Sequence, residues 1–189
     1  MSSVAWPDKF PALDTERLIL RQVSQNDSTG LFLCYSDPEV MRFTGSPLDC
    51  EDAITGILED CRDGFGDGYN LIWSIFIRDT GDFAGTAGFE QFSFLDGKAG
   101  TGFTLLREYQ GAGFMNEALK SILNFGFQEL NLNRIQTTVV PENSSSVKLL
   151  GKLVFKREGQ MESSVFFNNS YHDKLMSALL NVSHRETGG

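Results

Sequence analysis

A chain of 189 residues, 41% of them apolar, can bury one ordinary core without a metal or a disulfide staple. Its formal net charge of −9 argues against a general nucleic-acid binder and against docking on an anionic membrane, both of which need a basic footprint. An acidic surface favours solubility and the approach of cationic groups, amines among them.

Cys34, Cys50 and Cys61 are odd in number and form no C-x-x-C pair, so reduced thiols in a cytoplasmic chain are expected. His172 and His184 are the only imidazoles, and no metal site is expected. The opening MSSVAWPDKF lacks the apolar core of a signal peptide, and no run approaches the ~18 apolar residues of a membrane span. Prolines fall at 7, 11, 38, 47 and 141, and no linker divides the block between them. A single domain over residues 1–189 is expected, its core from about 13 to 180 between short polar tails.

In chain order, Arg17 to Arg21 alternates enough for a first strand. Asn26 and Asp27 are the expected N-caps of a short helix through Tyr35, which Asp37-Pro38 ends. Asp49 is the expected cap of a second helix with Ala53, Ile54, Ile57, Leu58 and Cys61 at helical spacing, broken by Gly64, Gly66 and Gly68. Antiparallel strands follow at 71–77, 83–92 and 100–106, with turns at 78–82 and at Asp96-Gly97. From Gly113 to Leu130 apolar residues recur every three to four positions in two adjacent stripes, the pattern of a helix lying deep against a sheet. A buried strand at 134–140 ends at Pro141. Ser144 or Ser145 then caps a helix carrying Val147, Leu149, Leu150 and Leu153, and strands near 155–167 and 172–180 close the chain.

The stretch with most chemical content joins the third of those antiparallel strands to the long helix. Gly111 and Gly113 bracket one small residue, letting the backbone approach a ligand with its N–H groups outward. The helix N-terminus behind adds about +0.5 charge, so the loop is a cradle suited to a pyrophosphate. No Lys-Ser or Lys-Thr follows, which removes a P-loop, and the antiparallel strands count against a dinucleotide-binding βαβ unit. Alone, the same glycines also describe an ordinary strand-to-helix turn.

The order of segments is more specific. From Gly102 to Ala118, with Gln110, Gly113 and the early Glu117-Ala118, the chain resembles the acetyl-CoA signature of GNAT-superfamily N-acetyltransferases. Leu13 to Arg21, Asn143 to Phe155 and Tyr171 to Met176 resemble the first strand, the Asn-x-x-Ser helix and the closing strand of its RimJ/RimL branch, which acetylates protein N-termini. The resemblance implies an α/β (α+β) fold, with a mixed, mostly antiparallel twisted sheet flanked by about four helices. It also implies acetyl-CoA as co-substrate, no metal, and an amine that attacks the thioester directly in a ternary complex. The backbone of Leu105 and Leu106 would pair with the pantetheine arm. N–H groups of Gln110, Gly111, Ala112, Gly113, Phe114 and Met115 would hold the pyrophosphate. Asn143 would steady the cofactor arm, and Ser146 would protonate the leaving thiolate. Met115 stands where the signature has a small residue.

Many relatives carry a glutamate base in the third strand, where this chain has Gly100. Glu90, on the neighbouring strand, is the replacement candidate, ahead of Tyr109, Glu108 and Tyr171. A missing base is tolerable for an α-amine of pKa about 7.7–8.0 and costs roughly 3.5 kcal/mol more for a lysine near 10.4. That favours a protein N-terminus as acceptor over a small amine such as an aminoglycoside, a polyamine or an amino acid. The acceptor pocket is expected between the two early helices and the loop from Gly64 to Tyr69. A non-catalytic acyl-CoA-binding regulatory domain is the reading from another class. Monomer and homodimer both stay open, since the closing strand leaves an edge.

Overall fold

The computed structural model describes residues 4–181. Its strands are β1 (Leu13–Asp14), β2 (Leu18–Gln22), β3 (Leu71–Ile77), β4 (Phe83–Ser93), β5 (Lys98–Leu105), β6 (Arg134–Val139), β7 (Lys156–Phe167) and β8 (Ser170–Leu180). They form one sheet in the order β1-β2-β3-β4-β5-β6-β8-β7, antiparallel throughout except where β5 meets β6. The helices are α1 (Ser28–Ser36), α2 (Pro38–Met41), α3 (Ala53–Gly66), α4 (Phe114–Gln128) and α5 (Ser144–Lys152). This is the expected mixed fold, with α2 and β1 in addition. The one-turn α2 forms because Asp37, which stops α1, accepts from the Glu39 N–H at 2.8 Å. Pro38 then sits in a first turn that needs no donor.

The core lies between α4 and the sheet. Met115, Ala118, Leu119, Ile122 and Leu123 of α4 join Trp73 of β3 and Phe89 of β4 in one buried cluster. Gly126 lets the helix come close, since a Cβ there would stand 2.6 Å from the Phe89 ring. The buried Trp73 indole N–H is satisfied by the Pro11 carbonyl at 2.7 Å. Among the described residues no helix is long and apolar enough to cross a membrane.

The caps differ from expectation at three helices. Asp27 is the N-cap of α1, but its side chain caps nothing there. It turns back to accept from both terminal nitrogens of Arg21, from the Ser24 N–H and from the Ser74 hydroxyl. A guanidinium fork offers a buried carboxylate more than one backbone N–H does. Asp52 rather than Asp49 precedes α3, again without a side-chain cap. That helix runs through Gly64 to Gly66, where Gly64 gives room to the Asn70 amide, and the chain turns at Gly68 with φ 72°. Asn143, not Ser144 or Ser145, caps α5, its side-chain oxygen accepting from the Ser146 N–H at 3.1 Å.

Val154, just past α5, has φ 59° and is 72% exposed. A β-branched side chain in the left-handed region costs about 1–2 kcal/mol, with no buried contact here to offset it. Val154→Gly is expected to raise stability by about 1 kcal/mol, read as a melting temperature about 2–4 °C higher.

Candidate active site

β5 and β6 are paired over only three residues each, Lys98–Gly100 against Arg134–Gln136. Beyond them the strands splay, the last tie being the Thr137 hydroxyl donating to the Thr101 carbonyl at 2.8 Å. The gap is a cleft of about 860 Å³, with Gly102 to Leu105 on one wall and Thr138 to Val140 on the other. Leu106 donates to Ala84 and accepts from the Tyr109 N–H, so both its backbone groups are used inside the fold. Neighbouring residues of a strand face opposite edges, so Thr101, Phe103 and Leu105 are the ones turned to the cleft. The Leu105 carbonyl is held by the Gln110 side chain at 2.9 Å. The N–H and C=O of Phe103 and the N–H of Leu105 are therefore the backbone edge that the cleft offers. Leu106 has no part in it.

At the end of the cleft stands the turn before α4. Gly111 and Gly113 have φ of 80° and 85°, conformations that glycine alone adopts without strain. The Gln110 N–H donates to the Arg107 carbonyl and is used inside the fold, against the expectation that it faces a ligand. Among the described residues nothing accepts from the N–H groups of Gly111, Ala112 or Gly113. Phe114, Met115 and Asn116 begin the helix, whose first N–H groups have no intrahelical partner. Met115, the residue that departs from the signature, is buried in the core and also stands among the residues that line the cleft. A Cβ at Gly113 would meet only the Arg17 guanidinium, at 3.6 Å. Gly113→Ala is thus expected to act through φ, lowering stability by about 1 kcal/mol and acetyl-CoA affinity about tenfold, read by calorimetric titration.

Asn143 and Ser146 both line the cleft. The Asn143 side-chain oxygen is committed to its cap, which leaves its NH2 as the group for a ligand. A second cavity, of about 780 Å³, is bounded by Tyr35 of α1, Asp60 and Cys61 of α3, and Asp67 and Tyr69 of the loop behind it. The Tyr35 hydroxyl lies 3.3 Å from that of Thr86. Burial pushes the Tyr35 phenol and the Cys61 thiol up, the thiol to about 11, so both stay neutral. The two cavities share Thr44, Glu90, Gly102, Phe103 and Thr104, and so meet at one place.

Residues 17–156 match the acetyltransferase (GNAT) domain family. The chain belongs to the GNAT acetyltransferases. It is 34% identical over 169 residues to the N-acetyltransferase p20 of Bacillus licheniformis, covering 89% of this chain and 95% of that protein. The fold matches the ribosomal-protein-S5-alanine acetyltransferase of Vibrio fischeri with a TM-score of 0.82 at 18% identity, covering 91% and 97% of the two chains. It matches the spermidine N-acetyltransferase of Vibrio cholerae, solved with CoA and spermine, with a TM-score of 0.79 at 20% identity, covering 88% and 96%. The chain is accordingly an acyltransferase with the GNAT fold.

In this GNAT acetyltransferase Gly100 and Glu90 are cross-strand partners. A Cβ built on Gly100 would lie 3.3 Å from the Glu90 Cγ and 3.7 Å from its carboxylate, so the glutamate lies over the glycine. Of the other base candidates, Tyr109 lines the cleft, and burial together with nearby Asp82 and Glu108 raises its pKa. Glu108 is solvent-exposed, and Tyr171 is 69% exposed at the β7–β8 turn. His184 lies outside the described residues.

Four cations on the cleft wall carry no role in the sequence reading: Arg42, Lys148, Lys152 and Lys174. Glu39 and Glu90 are the carboxylates there, so this wall is locally positive on a chain of net charge −9. Such focusing suits a polyanion. The signal available in sequence was the i, i+4 spacing of Lys148 and Lys152 in the helix that also carries Ser146.

Proposed function

We propose that this chain transfers an acetyl group from acetyl-CoA to an amine in a ternary complex, and that its acceptor is a protein N-terminal α-amine, as in the RimJ/RimL branch. The observation that carries this is the junction of the two cavities at Glu90, Gly102, Phe103 and Thr104. A cofactor in the first cavity and an amine in the second would meet there. The cradle N–H groups and the cations of α5 would hold the cofactor's phosphates, and the Phe103 backbone would pair with its arm. Acetyl-CoA supplies the thioester. Glu90 takes the proton from the acceptor ammonium, the neutral nitrogen forms the C–N bond, and the C–S bond breaks. Ser146 gives its hydroxyl proton to the departing thiolate and is restored by the second proton, which the nitrogen sheds as it becomes an amide.

An α-amine is easy to deprotonate, which suits a base carried on an exposed side chain. The name of the Vibrio fischeri neighbour, a ribosomal-protein-S5-alanine acetyltransferase, is consistent with that class. The second reading is a small polycationic amine, favoured by Asp60, Asp63 and Asp67 around the acceptor cavity. The spermine held by the Vibrio cholerae neighbour is of that kind. The cytoplasm, where acetyl-CoA and new N-termini coexist, is the expected location.

The test is calorimetric titration with acetyl-CoA, followed by thiol release against N-terminal peptides, polyamines, aminoglycosides and amino acids. Binding with release on peptides supports the first acceptor class, and release on polyamines alone replaces it with the second. No binding of acetyl-CoA would overturn the cofactor reading itself.

A further inference from the structure

The phosphate cradle needs its peptide planes held, and the holder comes from the far edge of the sheet. Arg17, in the turn between β1 and β2, reaches the start of α4. Its backbone N–H donates to Glu117 Oε1 at 2.8 Å and its side-chain Nε to Glu117 Oε2 at 2.7 Å. A terminal nitrogen of the same guanidinium donates to the Ala112 carbonyl at 3.1 Å. The guanidinium plane lies 4.5 Å from the centre of the Phe114 ring. Thr15 completes the set, its hydroxyl donating to Glu117 Oε1 at 2.6 Å.

Two physical consequences follow. A carboxylate in the first turn of α4 would repel an anion at that helix end, yet Glu117 is matched by a cation and three N–H or O–H donors. Burial alone would raise its pKa, but the Thr15 and Arg17 donors and the Arg17 charge outweigh burial and hold it below the usual carboxylate value. The second consequence concerns direction. In a trans peptide the C=O and the following N–H point opposite ways. Arg17 draws the Ala112 carbonyl to the β1–β2 side, so the Gly113 N–H points away from it, and Gly113 lines the cleft while Ala112 does not. With glycine on either side of Ala112, little else opposes a flip of that peptide.

We infer that Arg17 is a positioning residue for acetyl transfer: by holding the Ala112 carbonyl and the Glu117 carboxylate, it fixes the Gly113 N–H toward the cofactor's pyrophosphate. This rests on the acetyl-CoA reading above. Arg17 acts through the loop, so its effect belongs to one part of the cofactor only. Acetyl-pantetheine carries the same thioester and arm without the pyrophosphate, and serves as the comparison substrate.

Arg17→Ala is expected to raise the KM for acetyl-CoA about tenfold or more with kcat little changed, while kcat/KM for acetyl-pantetheine stays within about twofold of wild type. Arg17→Lys keeps a charge for Glu117 but not the fork that also reaches Ala112, so it is expected to restore the melting temperature without restoring the KM. It replaces the alanine variant if that does not fold. An unchanged KM for acetyl-CoA in both variants would overturn the role of Arg17 and leave the cofactor reading intact. Equal losses on acetyl-CoA and acetyl-pantetheine would reduce Arg17 to general support of the fold. Wild-type protein that binds no acetyl-CoA would remove both inferences together.

Discussion

Glu90→Gln is expected to lower kcat by about 10²–10³-fold while the affinity for acetyl-CoA stays where it was. Glutamine keeps the volume and the hydrogen-bonding reach but takes no proton. Glu90 sits where the cleft between β5 and β6 meets the second cavity, and its chain crosses the space a side chain on Gly100 would fill. The strand pairing therefore offers a reciprocal test. Glu90→Ala should lose as much rate as glutamine, and adding Gly100→Glu to it should recover at least tenfold of the loss. Gly100→Glu alone should cost some stability, because its Cβ would meet the Glu90 Cγ and carbonyl at 3.3 Å each, and Glu90→Ala relieves the first of these contacts. Steady-state rates with the best acceptor, set beside calorimetric Kd values for acetyl-CoA, check all three. A double variant no faster than Glu90→Ala would mean that a carboxylate at this junction is not the base.

Asp27→Ala should cost about 3 kcal/mol of stability, lowering the melting temperature by about 6–12 °C. The Asp27 carboxylate is 1% exposed and is bound by Arg21, Ser24 and Ser74. Its loss strands the Ser74 hydroxyl, itself fully buried on β3, and leaves the Arg21 guanidinium over the Phe76 ring without its anion. The consequence extends to function if the second cavity takes the acceptor as proposed, because the turn that Asp27 organises begins α1, which carries Tyr35 to that cavity. The KM for the acceptor should rise more than the KM for acetyl-CoA. Thermal melting and the two KM values give the comparison.

Much of this architecture is written in local pattern. The strand at 71–77 coincides with its expected bounds, because its apolar run is cut sharply by Asn70 on one side and Arg78-Asp79 on the other. The long helix follows from its two apolar stripes, both of which find a partner in the sheet and the packing around it. The caps were less legible. Asp27, Asp49, Ser144 and Ser145 all have the chemistry of an N-cap, but which one serves depends on tertiary partners such as Arg21 and Ser74 that periodicity does not see. Before α4, the turn at Gly111 and Gly113 was readable because left-handed backbone demands glycine. Which backbone groups remain available was not, since a one-turn 3-10 segment at Arg107–Tyr109 takes the Gln110 N–H and the Leu106 carbonyl, and Ala84 takes the Leu106 N–H. Nor could spacing show that Glu90 and Gly100 face each other, because an irregular register between Glu90 and Ser93 sets that pairing. Arg17 and Glu117 are a hundred residues apart, and only the folded chain makes them neighbours.

The splayed pair of parallel strands has a mechanical meaning as well. Five strands on one side of the cleft and three on the other are joined by the pairing of three residues from each strand at one end, like a book held only at the foot of its spine. A ligand whose arm lies along the Phe103 edge would act as a further strand, closing the opening with backbone hydrogen bonds rather than by a moving lid. The two half-sheets would then exchange their amide hydrogens as one unit, and thermal stability would climb with cofactor concentration by RT ln(1 + [L]/Kd).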